Sequence, residues 1–273
     1  MKSPDHKPRK RFGQHFLVDQ AVLQRIAAAC VIGQPATIVE IGPGPGALTA
    51  LLLQKTERLV AIELDRDLAA ALPDQFPNAN LEVHQMDVLN CQLSEFAAED
   101  IAQNRCFRVV GNLPYNISTP LIFHLLNQLD SIDQMVFMVQ KEVAGRLVAG
   151  PGTKQYGRLS VMTALWLDTE RLFDVPPHAF DPPPKVDSTV IRMKPRATPI
   201  VETQSPHFDL QLTAKIVTAA FAQRRKTLRN ALNGFITVEQ MALSDIDPGS
   251  RAETIAPESY VRLSLVVSEE NNA

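Results

Sequence analysis

The sequence predicts an α/β protein in which helices cover both faces of a parallel sheet, followed by a small all-helical domain. Three observations carry this prediction. Short apolar segments alternate with helical ones between residues 37 and 150, a glycine-rich turn follows the first of them, and the pattern beyond residue 208 is helical only. The predicted parts are a basic arm (1–18), an α/β domain (19–200) and a helical C-terminal domain (201–273).

Five strands are expected in the α/β region, each followed by a helix or turn. A first helix, VLQRIAAACV, precedes them and begins after Asp19, whose carboxylate can cap it. The predicted strands are TIVEIG, LVAIELD, LEVHQMD, FRVVGN and DQMVFMVQ, and the helices between and after them are ALTALLLQ, DLAAALPDQF, PLIFHLLNQL and EVAGRLVA.

The pattern changes after residue 150. GPGTKQYG reads as a loop, VPPHAFDPPPK as stiff extended chain, and VDSTVIRM as a late strand. LTAKIVTAAFAQRRKTLRNAL is predicted to form one long helix, with Arg225 and Arg229 on one face and an apolar stripe (Phe221, Leu228 and Leu232) on another. VEQMALSDI and SYVRLSLVVS are predicted as two shorter helices.

Composition argues against several classes of protein. The 273 residues contain three cysteines, which are far apart, and six histidines without metal-ligand spacing, so neither a disulfide framework nor a metal site is expected. There is no apolar run that predicts a signal peptide or a membrane span. A reducing, cytoplasmic location is the expectation.

Charge is unevenly distributed although the net charge is only −3. Residues 1–12 carry five basic residues against one acidic, residues 37–103 carry eleven acidic against three basic, and residues 213–230 carry five basic and no acidic. Two basic segments beside an acidic centre can bind a polyanion at the edges of the protein. They could equally be solvated charged faces.

The glycine-rich turn VEIGPGPGALT suggests a cofactor site. Gly42, Gly44 and Gly46 let the backbone turn sharply and let a ligand lie against it. The spacing fits both a nicotinamide dinucleotide and S-adenosylmethionine. Glu40, two residues before the first glycine, favours the second, because its carboxylate suits the cationic methionine end.

Acidic residues also end the second and third strands. Glu63 could accept both ribose hydroxyls of a cofactor, and Asp87 could accept a hydrogen bond from its adenine amino group. Acids at successive strand ends are what a crevice across the edge of a sheet requires. Alternatively, each acid only solvates the end of its strand.

GNLPYNIS follows the fourth strand. The side-chain oxygen of Asn112 and the carbonyl of Leu113, held extended by Pro114, could accept both N–H bonds of an exocyclic amine. Tyr115 could stack on the base. Such a loop would align an adenine amine for attack on a methyl group. An ordinary turn is the alternative.

Here the sequence resembles the small-subunit ribosomal RNA adenine dimethyltransferases of the kasugamycin-resistance type. The resemblance extends over nearly the whole chain, through KRFGQHFL, VEIGPGPGALT, IELDRDLA, GNLPYNIST, QKEVAGRL, YGRLSV, VPPHAFDPPPKVDS and FAQRRKTLRNAL. It implies a Rossmann-like, class I S-adenosylmethionine-dependent methyltransferase without a metal, which leaves S-adenosylhomocysteine as product.

The resemblance also implies the substrate. The enzyme would dimethylate N6 of two adjacent adenosines in the hairpin loop near the 3′ end of 16S rRNA. It would act on an immature 30S particle during ribosome biogenesis, as a monomer and without a membrane.

The predicted site residues fall into three groups, of which the first two follow the family resemblance and the third follows the distribution of charge. Cofactor contacts are implied for His15 (often asparagine in the family), Leu17, Gly42, Gly44, Glu63, Asp87 and Asn112. Phe180 is expected to sandwich the target base opposite Tyr115, within a catalytic set of Asn112, Leu113, Pro114, Tyr115 and Phe180, or else to be a core residue. RNA contacts are expected at Arg9, Lys10, Arg11, Arg224, Arg225, Lys226 and Arg229, with a solvated face as the alternative.

Four rival functions remain at this point: a 23S rRNA methyltransferase, a DNA adenine methyltransferase, a non-catalytic RNA-binding or assembly factor, and a nicotinamide-dependent reductase. The intact Asn112–Tyr115 loop weighs against the non-catalytic reading.

Overall fold

The computed structural model describes residues 9, 14–30, 37–200 and 208–272. Most of the predicted basic arm, including Lys10 and Arg11, therefore lies outside the described residues, as does the predicted boundary at 201. Within the described ranges, none of the helices has the length and apolar character needed to cross a membrane.

The elements follow one another in the order β1 (Phe16–Leu17), α1 (Gln20–Cys30), β2 (Thr37–Ile41), α2 (Thr49–Leu52), β3 (Arg58–Glu63), α3 (Arg66–Gln75), β4 (Leu81–Gln85), α4 (Ala98–Ala102), β5 (Phe107–Asn112), α5 (Ser118–Leu125), β6 (Ile132–Gln140), α6 (Lys141–Leu147), α7 (Arg158–Ala164), β7 (Leu167–Val175), β8 (Phe180–Asp181), β9 (Ser188–Pro195), α8 (Leu210–Ala222), α9 (Leu228–Ala231), α10 (Val238–Leu243) and α11 (Pro257–Asn272).

A seven-stranded sheet is the framework of the α/β part. Its strand order is β4-β3-β2-β5-β6-β9-β7, the first five strands are parallel, and β9 is antiparallel to β6. The five predicted strands and the late strand are therefore confirmed. Because β2 has β3 on one side and β5 on the other, the strand order reverses at β2, which is where open α/β sheets bind ligands.

The central strands are buried on both faces, as a parallel sheet requires. All five residues of β2 are buried, and so are Val109 and Val110 of β5. The helix α1 begins as predicted, since Oδ1 of Asp19 accepts a hydrogen bond of 3.1 Å from the backbone N–H of Val22.

Several elements were not predicted. The helix α7 and the strand β7 occupy a region for which no helix or strand was predicted. The strand β1 pairs with β8 in a separate two-stranded sheet, with Phe16 opposite Asp181 and Leu17 opposite Phe180. The strand β7 lies at an edge of the large sheet and carries charged residues, so it has no apolar signature.

The contacts divide the chain into two compact units, Met1–Ala144 with Glu170–Pro195, and Gly145–Thr169 with Arg196–Ala273. We call them the sheet unit and the helical unit. The predicted domains differ from this division because they assign residues 145–169 to the α/β part. These residues belong with the C-terminal helices; for example, the buried hydroxyl of Tyr156 donates a hydrogen bond of 2.8 Å to the carbonyl of Ile255.

The prediction of one long helix from residue 212 to residue 232 is wrong. The helix α8 ends at Ala222, and α9 begins only at Leu228. Contacts with a distant segment cause the break, because Thr227 forms a β-bridge with Arg251 and the N–H of Leu228 donates 2.8 Å to the carbonyl of Ser250. Arg225 and Arg229 therefore do not share the face of one helix.

Candidate active site

One cavity of about 870 Å³ in the sheet unit brings most of the predicted site residues together. It opens among the glycine-rich turn, the ends of the parallel strands and the loop after β5. The predicted residues that line it are His15, Leu17, Gly42, Gly44, Glu63, Asp87, Asn112, Leu113, Pro114 and Tyr115. The segments VEIGPGPGALT and GNLPYNIS, which are far apart in sequence, therefore face the same space.

The glycine-rich turn depends on glycine at its three alternate positions. Gly42, Gly44 and Gly46 have φ values of +66°, +56° and +85°, a region that residues with a side chain rarely adopt. A Cβ at Gly44 would lie 3.1 Å from the ring of Phe16, and one at Gly46 would lie 2.8 Å from Leu72. The turn thus exposes bare backbone to the cavity.

Glu63 connects the end of β3 to this turn. Its two carboxylate oxygens accept hydrogen bonds from the backbone N–H groups of Gly44, at 3.1 Å, and Asp65, at 2.8 Å. Burial raises the pKa of Glu63, and these two hydrogen bonds oppose the rise. Since a carboxylate oxygen can accept more than one hydrogen bond, Glu63 can order the turn and still accept a ligand hydroxyl.

Glu40 is a second carboxylate at the cavity and is only 1% exposed. Burial raises the pKa of Glu40 to about 7, although the hydroxyl of Thr49 donates a hydrogen bond of 2.7 Å to its Oε2. The charge on Glu63 contributes a smaller rise in the same direction. With a pKa near 7, Glu40 gains or loses its proton in the neutral pH range, and a cationic group bound beside it would favour the charged carboxylate.

Asp87 lies just beyond β4 and is half-buried. Its Oδ1 accepts a hydrogen bond of 3.0 Å from the N–H of Leu89 and caps the short 3₁₀ turn Val88–Asn90. No described residue donates to Oδ2, so one oxygen of Asp87 is available to a ligand in the cavity.

The loop after β5 presents two adjacent acceptors. The side-chain amide of Asn112 donates a hydrogen bond of 3.0 Å from Nδ2 to the carbonyl of His15, which fixes the orientation of the amide. The N–H of Leu113 donates 3.1 Å to the carbonyl of Met138 on β6. Among the residues that the structure describes, none donates to Oδ1 of Asn112 or to the carbonyl of Leu113.

Two residues outside the loop hold the side chain of Tyr115. Its hydroxyl lies 2.8 Å from the hydroxyl of Ser188, and its ring stacks on His15 with centroids 5.8 Å apart at 27°. His15 is fixed in turn by a hydrogen bond of 2.8 Å between its Nδ1 and the carbonyl of Pro182. Ser188 was not predicted as a site residue, because a serine at the start of a strand carries no signal of its partner.

The structure does not support the predicted role of Phe180 as one side of a base sandwich. Phe180 is 4% exposed, packs in the core with Leu17 and Val175, and does not line the cavity. Its backbone pairs with Leu17 in the β1–β8 sheet, and this pairing fixes the residue in the core. The ring that stacks on Tyr115 is that of His15.

Arg9, one of the predicted RNA contacts, forms ion pairs within the sheet unit. Its guanidinium donates 2.9 Å to Oδ1 of Asp65 and forms an ion pair with Asp67, whose pKa the charge on Arg9 lowers. The backbone N–H of Arg9 donates to the side-chain oxygen of Gln14. Arg9 is therefore paired with two acids that follow β3, and its contact with RNA stays a prediction.

The four predicted RNA contacts of the helical unit differ among themselves. Arg224 donates 2.6 Å to Glu253 and 2.6 Å to the carbonyl of Lys154, so its charge holds parts of the unit together. Arg225, Lys226 and Arg229 are exposed, and none of them forms an ion pair with the part of the chain that the structure describes.

Comparison with known proteins identifies the family. The family model described as ribosomal RNA adenine dimethylase matches residues 5–269. The chain belongs to the ribosomal RNA adenine dimethylase family. The ribosomal RNA small subunit methyltransferase A of Methylococcus capsulatus is 51% identical over 260 residues, which are 95% of this chain and 97% of that protein. The protein of the same name from Salmonella typhimurium is 46% identical over 265 residues, 97% of this chain and 94% of that protein.

Solved structures agree with the dimethylase fold. The 23S rRNA methyltransferase ErmE superposes with a TM-score of 0.69 at 25% identity, covering 91% of this chain and 98% of that one. A dimethyladenosine transferase from Plasmodium falciparum gives a TM-score of 0.73 at 24% identity, covering 91% and 96%.

Membership of the dimethylase family confirms the predicted Rossmann-like methyltransferase fold and the predicted class of enzyme. The protein is an rRNA adenine dimethyltransferase, and its family uses S-adenosylmethionine. The glycine spacing fitted two cofactors, and membership of the family decides for S-adenosylmethionine and against a nicotinamide dinucleotide. It also excludes the nicotinamide-dependent reductase.

Proposed function

We propose that this protein transfers methyl groups from S-adenosylmethionine to N6 of two adjacent adenosines in the hairpin loop near the 3′ end of 16S rRNA, within the 30S particle. The observation that carries the proposal is the pair of acceptors at Asn112 and Leu113 in the cavity of the glycine-rich turn. The relatives named for the small subunit are 46–51% identical, against 25% for the 23S enzyme ErmE, which favours the small subunit.

The cavity fits the cofactor. Gly42 and Gly44 offer backbone without a side chain, and a Cβ at Gly42 would meet nothing closer than 4.0 Å. Glu63 would accept the ribose hydroxyls, Asp87 the adenine amino group, and His15 and Leu17 would cover the ligand. When bound, S-adenosylmethionine supplies a methyl group activated by a sulfonium.

The residues of the loop then prepare the adenine amine. Its nitrogen is a weak nucleophile because its lone pair is delocalised into the ring. In the first transfer, Oδ1 of Asn112 and the carbonyl of Leu113 would accept its two N–H groups and favour a pyramidal nitrogen with a free lone pair. In the second transfer one N–H remains, and one of these acceptors would hold it. Tyr115 would stack on the base after the base leaves its own stack. The contribution of these residues is positioning and electrostatic alignment, and a proton can leave after attack.

Binding of the RNA would rest on the exposed charges of the helical unit. Arg225, Lys226 and Arg229 are open to solvent and would contact phosphates. Arg224 would support the turn that carries two of them. Contacts from Lys10 and Arg11, a monomeric state, a cytoplasmic location and a role in small-subunit biogenesis remain parts of the proposal.

Mass spectrometry of a nuclease-released 3′ fragment of 16S rRNA tests the proposal. Cells that contain the protein should yield two dimethyladenosines in this fragment, and cells without it, or with Asn112→Ala, should yield unmodified adenosines. Unchanged modification after deletion, or loss of a modification from 23S rRNA instead, would contradict it. A thermal-shift assay should also show stabilisation by S-adenosylhomocysteine and none by NAD.

A further inference from the structure

The aromatic ring of Tyr115 is restrained at its hydroxyl and on one face. The hydroxyl is 2.8 Å from Oγ of Ser188, and one face stacks on His15. Tyrosine side chains otherwise vary widely about their terminal torsion. With its hydroxyl held and one face covered, the ring has a defined plane and one face left to contact a base.

Ser188 belongs to the same sheet that carries the catalytic loop. Ser188 is the first residue of β9 and pairs with Gln140 of β6. Met138, which precedes Gln140 by two residues in β6, accepts the N–H of Leu113 at its carbonyl. The loop is thus attached near the C-terminal end of β6 from two sides: at its beginning through Leu113 and β6 itself, and near its tip through Tyr115 and Ser188 of the neighbouring strand β9.

Lys141 further fixes the chain immediately before Ser188. The backbone N–H of Lys141 donates 3.0 Å to the carbonyl of Asp187, and its Nζ lies 3.1 Å from Oδ2 of the same residue. The ammonium group also pairs with Asp174 at 3.1 Å. These contacts hold the backbone next to Ser188, whose hydroxyl lies 2.8 Å from that of Tyr115.

We propose that Ser188 is a positioning residue for methyl transfer, whose hydroxyl fixes the plane of Tyr115 so that the target adenine stacks at the correct angle. The inference rests on the proposed function, in which Tyr115 contacts the base. Ser188 is 0% exposed and does not line the cavity, so it acts through Tyr115 and not on the RNA or the cofactor directly. Stacking helps catalysis only when the base is held in the reactive geometry.

The test compares Ser188→Ala, Tyr115→Phe and the double variant on 30S particles. Each single change removes the same hydrogen bond, so each should lower kcat about fivefold, the scale of one neutral hydrogen bond. The double variant should be no slower than Tyr115→Phe, because the interaction is already lost. The KM for the particle and the Kd of S-adenosylhomocysteine should stay at the wild-type values.

A matched control separates positioning from general loss of a buried hydroxyl. Ser264 in the helical unit is also 0% exposed, and its hydroxyl accepts from Thr213 and donates to the carbonyl of Val261. Ser264→Ala should leave kcat unchanged. Should Ser188→Ala prove unable to fold, Tyr115→Phe must still show the fivefold loss for the inference to stand.

Three results would overturn the inference: wild-type kcat in Ser188→Ala, multiplied effects in the double variant, or a weakened affinity of Ser188→Ala for S-adenosylhomocysteine. These results are distinct from failure of the proposed function. In that case the wild-type protein itself would not methylate 30S particles, whereas the inference fails when the wild-type protein is active and Ser188→Ala equals it.

Discussion

The two units differ in how far sequence patterns locate functional residues. In the sheet unit, residues predicted at the ends of separate strands line one cavity. In the helical unit, the predicted basic face is divided between a turn and a short helix, and Arg224 is engaged with Glu253. The order of parallel strands determines which chain segments become neighbours, whereas the end of a surface helix depends on contacts with distant segments.

The largest effect is expected at Asn112, which lies in the cavity and is proposed to accept a hydrogen bond from the adenine amine. Asn112→Ala should lower methyl transfer by roughly 100-fold or more, the scale seen when one preorganised polar group is removed from an active site. The change removes an acceptor for the amine and the hydrogen bond to the carbonyl of His15. Single-turnover methylation of 30S particles with labelled methyl donor measures the loss.

Asn112→Asp is the matched control, because it keeps an acceptor oxygen and loses the donor to His15. It should retain more activity than Asn112→Ala at neutral pH. Turnover close to the wild-type value in Asn112→Ala would contradict the proposal that Asn112 aligns the amine. It would also contradict the conclusion that the cavity of the sheet unit is the active site.

The second prediction concerns the buried carboxyl group of Glu40, which precedes the glycine-rich turn. Because burial raises the pKa of Glu40 from 4.5 to about 7, the folded protein binds this proton more tightly than the unfolded chain does. The free energy of unfolding of the wild-type protein should therefore fall, relative to Glu40→Gln, as the pH rises from about 4.5 to about 7, by on the order of 3 kcal/mol.

Urea unfolding of the cofactor-free protein at about pH 5 and about pH 8 measures this difference. Glutamine keeps an acceptor for the hydroxyl of Thr49, so the comparison isolates the charge. An equal pH dependence in the two proteins would show that Glu40 ionises without penalty in its buried position.

The third prediction tests the connection between the glycine-rich turn and the end of β3. Glu63→Gln replaces one acceptor by an amide N–H₂ that faces a backbone donor, either Gly44 or Asp65. The Kd for S-adenosylhomocysteine should rise about 30-fold, the scale of one lost hydrogen bond to a charged group. Isothermal titration calorimetry measures it, and an unchanged Kd would remove Glu63 from the cofactor site.

The regular part of the fold could be predicted from the sequence, because buried parallel strands read as short apolar runs and helices lie between them. The alternating glycines and the acids Glu63 and Asp87 were found for the same reason, since they stand at the end of a strand or just beyond it. The charged edge strand β7 was missed because four of its nine residues are exposed. The core position of Phe180 depends on pairing with Leu17, more than 160 residues earlier in the chain, which no local pattern encodes.

The basic segment of the helical unit was also predicted wrongly because its structure depends on contacts between residues far apart in the sequence. Arginine, lysine and leucine favour helices, so FAQRRKTLRNAL reads as one helix from local propensity. The bridge between Thr227 and Arg251 and the ion pair between Arg224 and Glu253 override this propensity, and both join residues more than 20 positions apart.

The fourth prediction has the smallest expected effects and divides the basic residues of the helical unit into those that bind RNA and one that stabilises the fold. Replacing Arg225, Lys226 and Arg229 by alanine should weaken binding to 30S particles about tenfold and reduce the slope of log K against log salt by roughly two. Arg224→Ala should instead lower the free energy of unfolding by about 1 kcal/mol or less, because its ion pair is partly exposed. A salt slope unchanged by the triple variant would exclude this surface from RNA binding.

A crystal structure of the protein with S-adenosylhomocysteine tests most directly whether the methyl donor binds in the cavity of the sheet unit, next to the loop that would hold the adenine amine. The sulfur should face Asn112 across open space in the cavity, with the ribose at Glu63 and the adenine at Asp87. A ligand bound elsewhere, or a sulfur separated from Asn112 by protein atoms, would contradict the account.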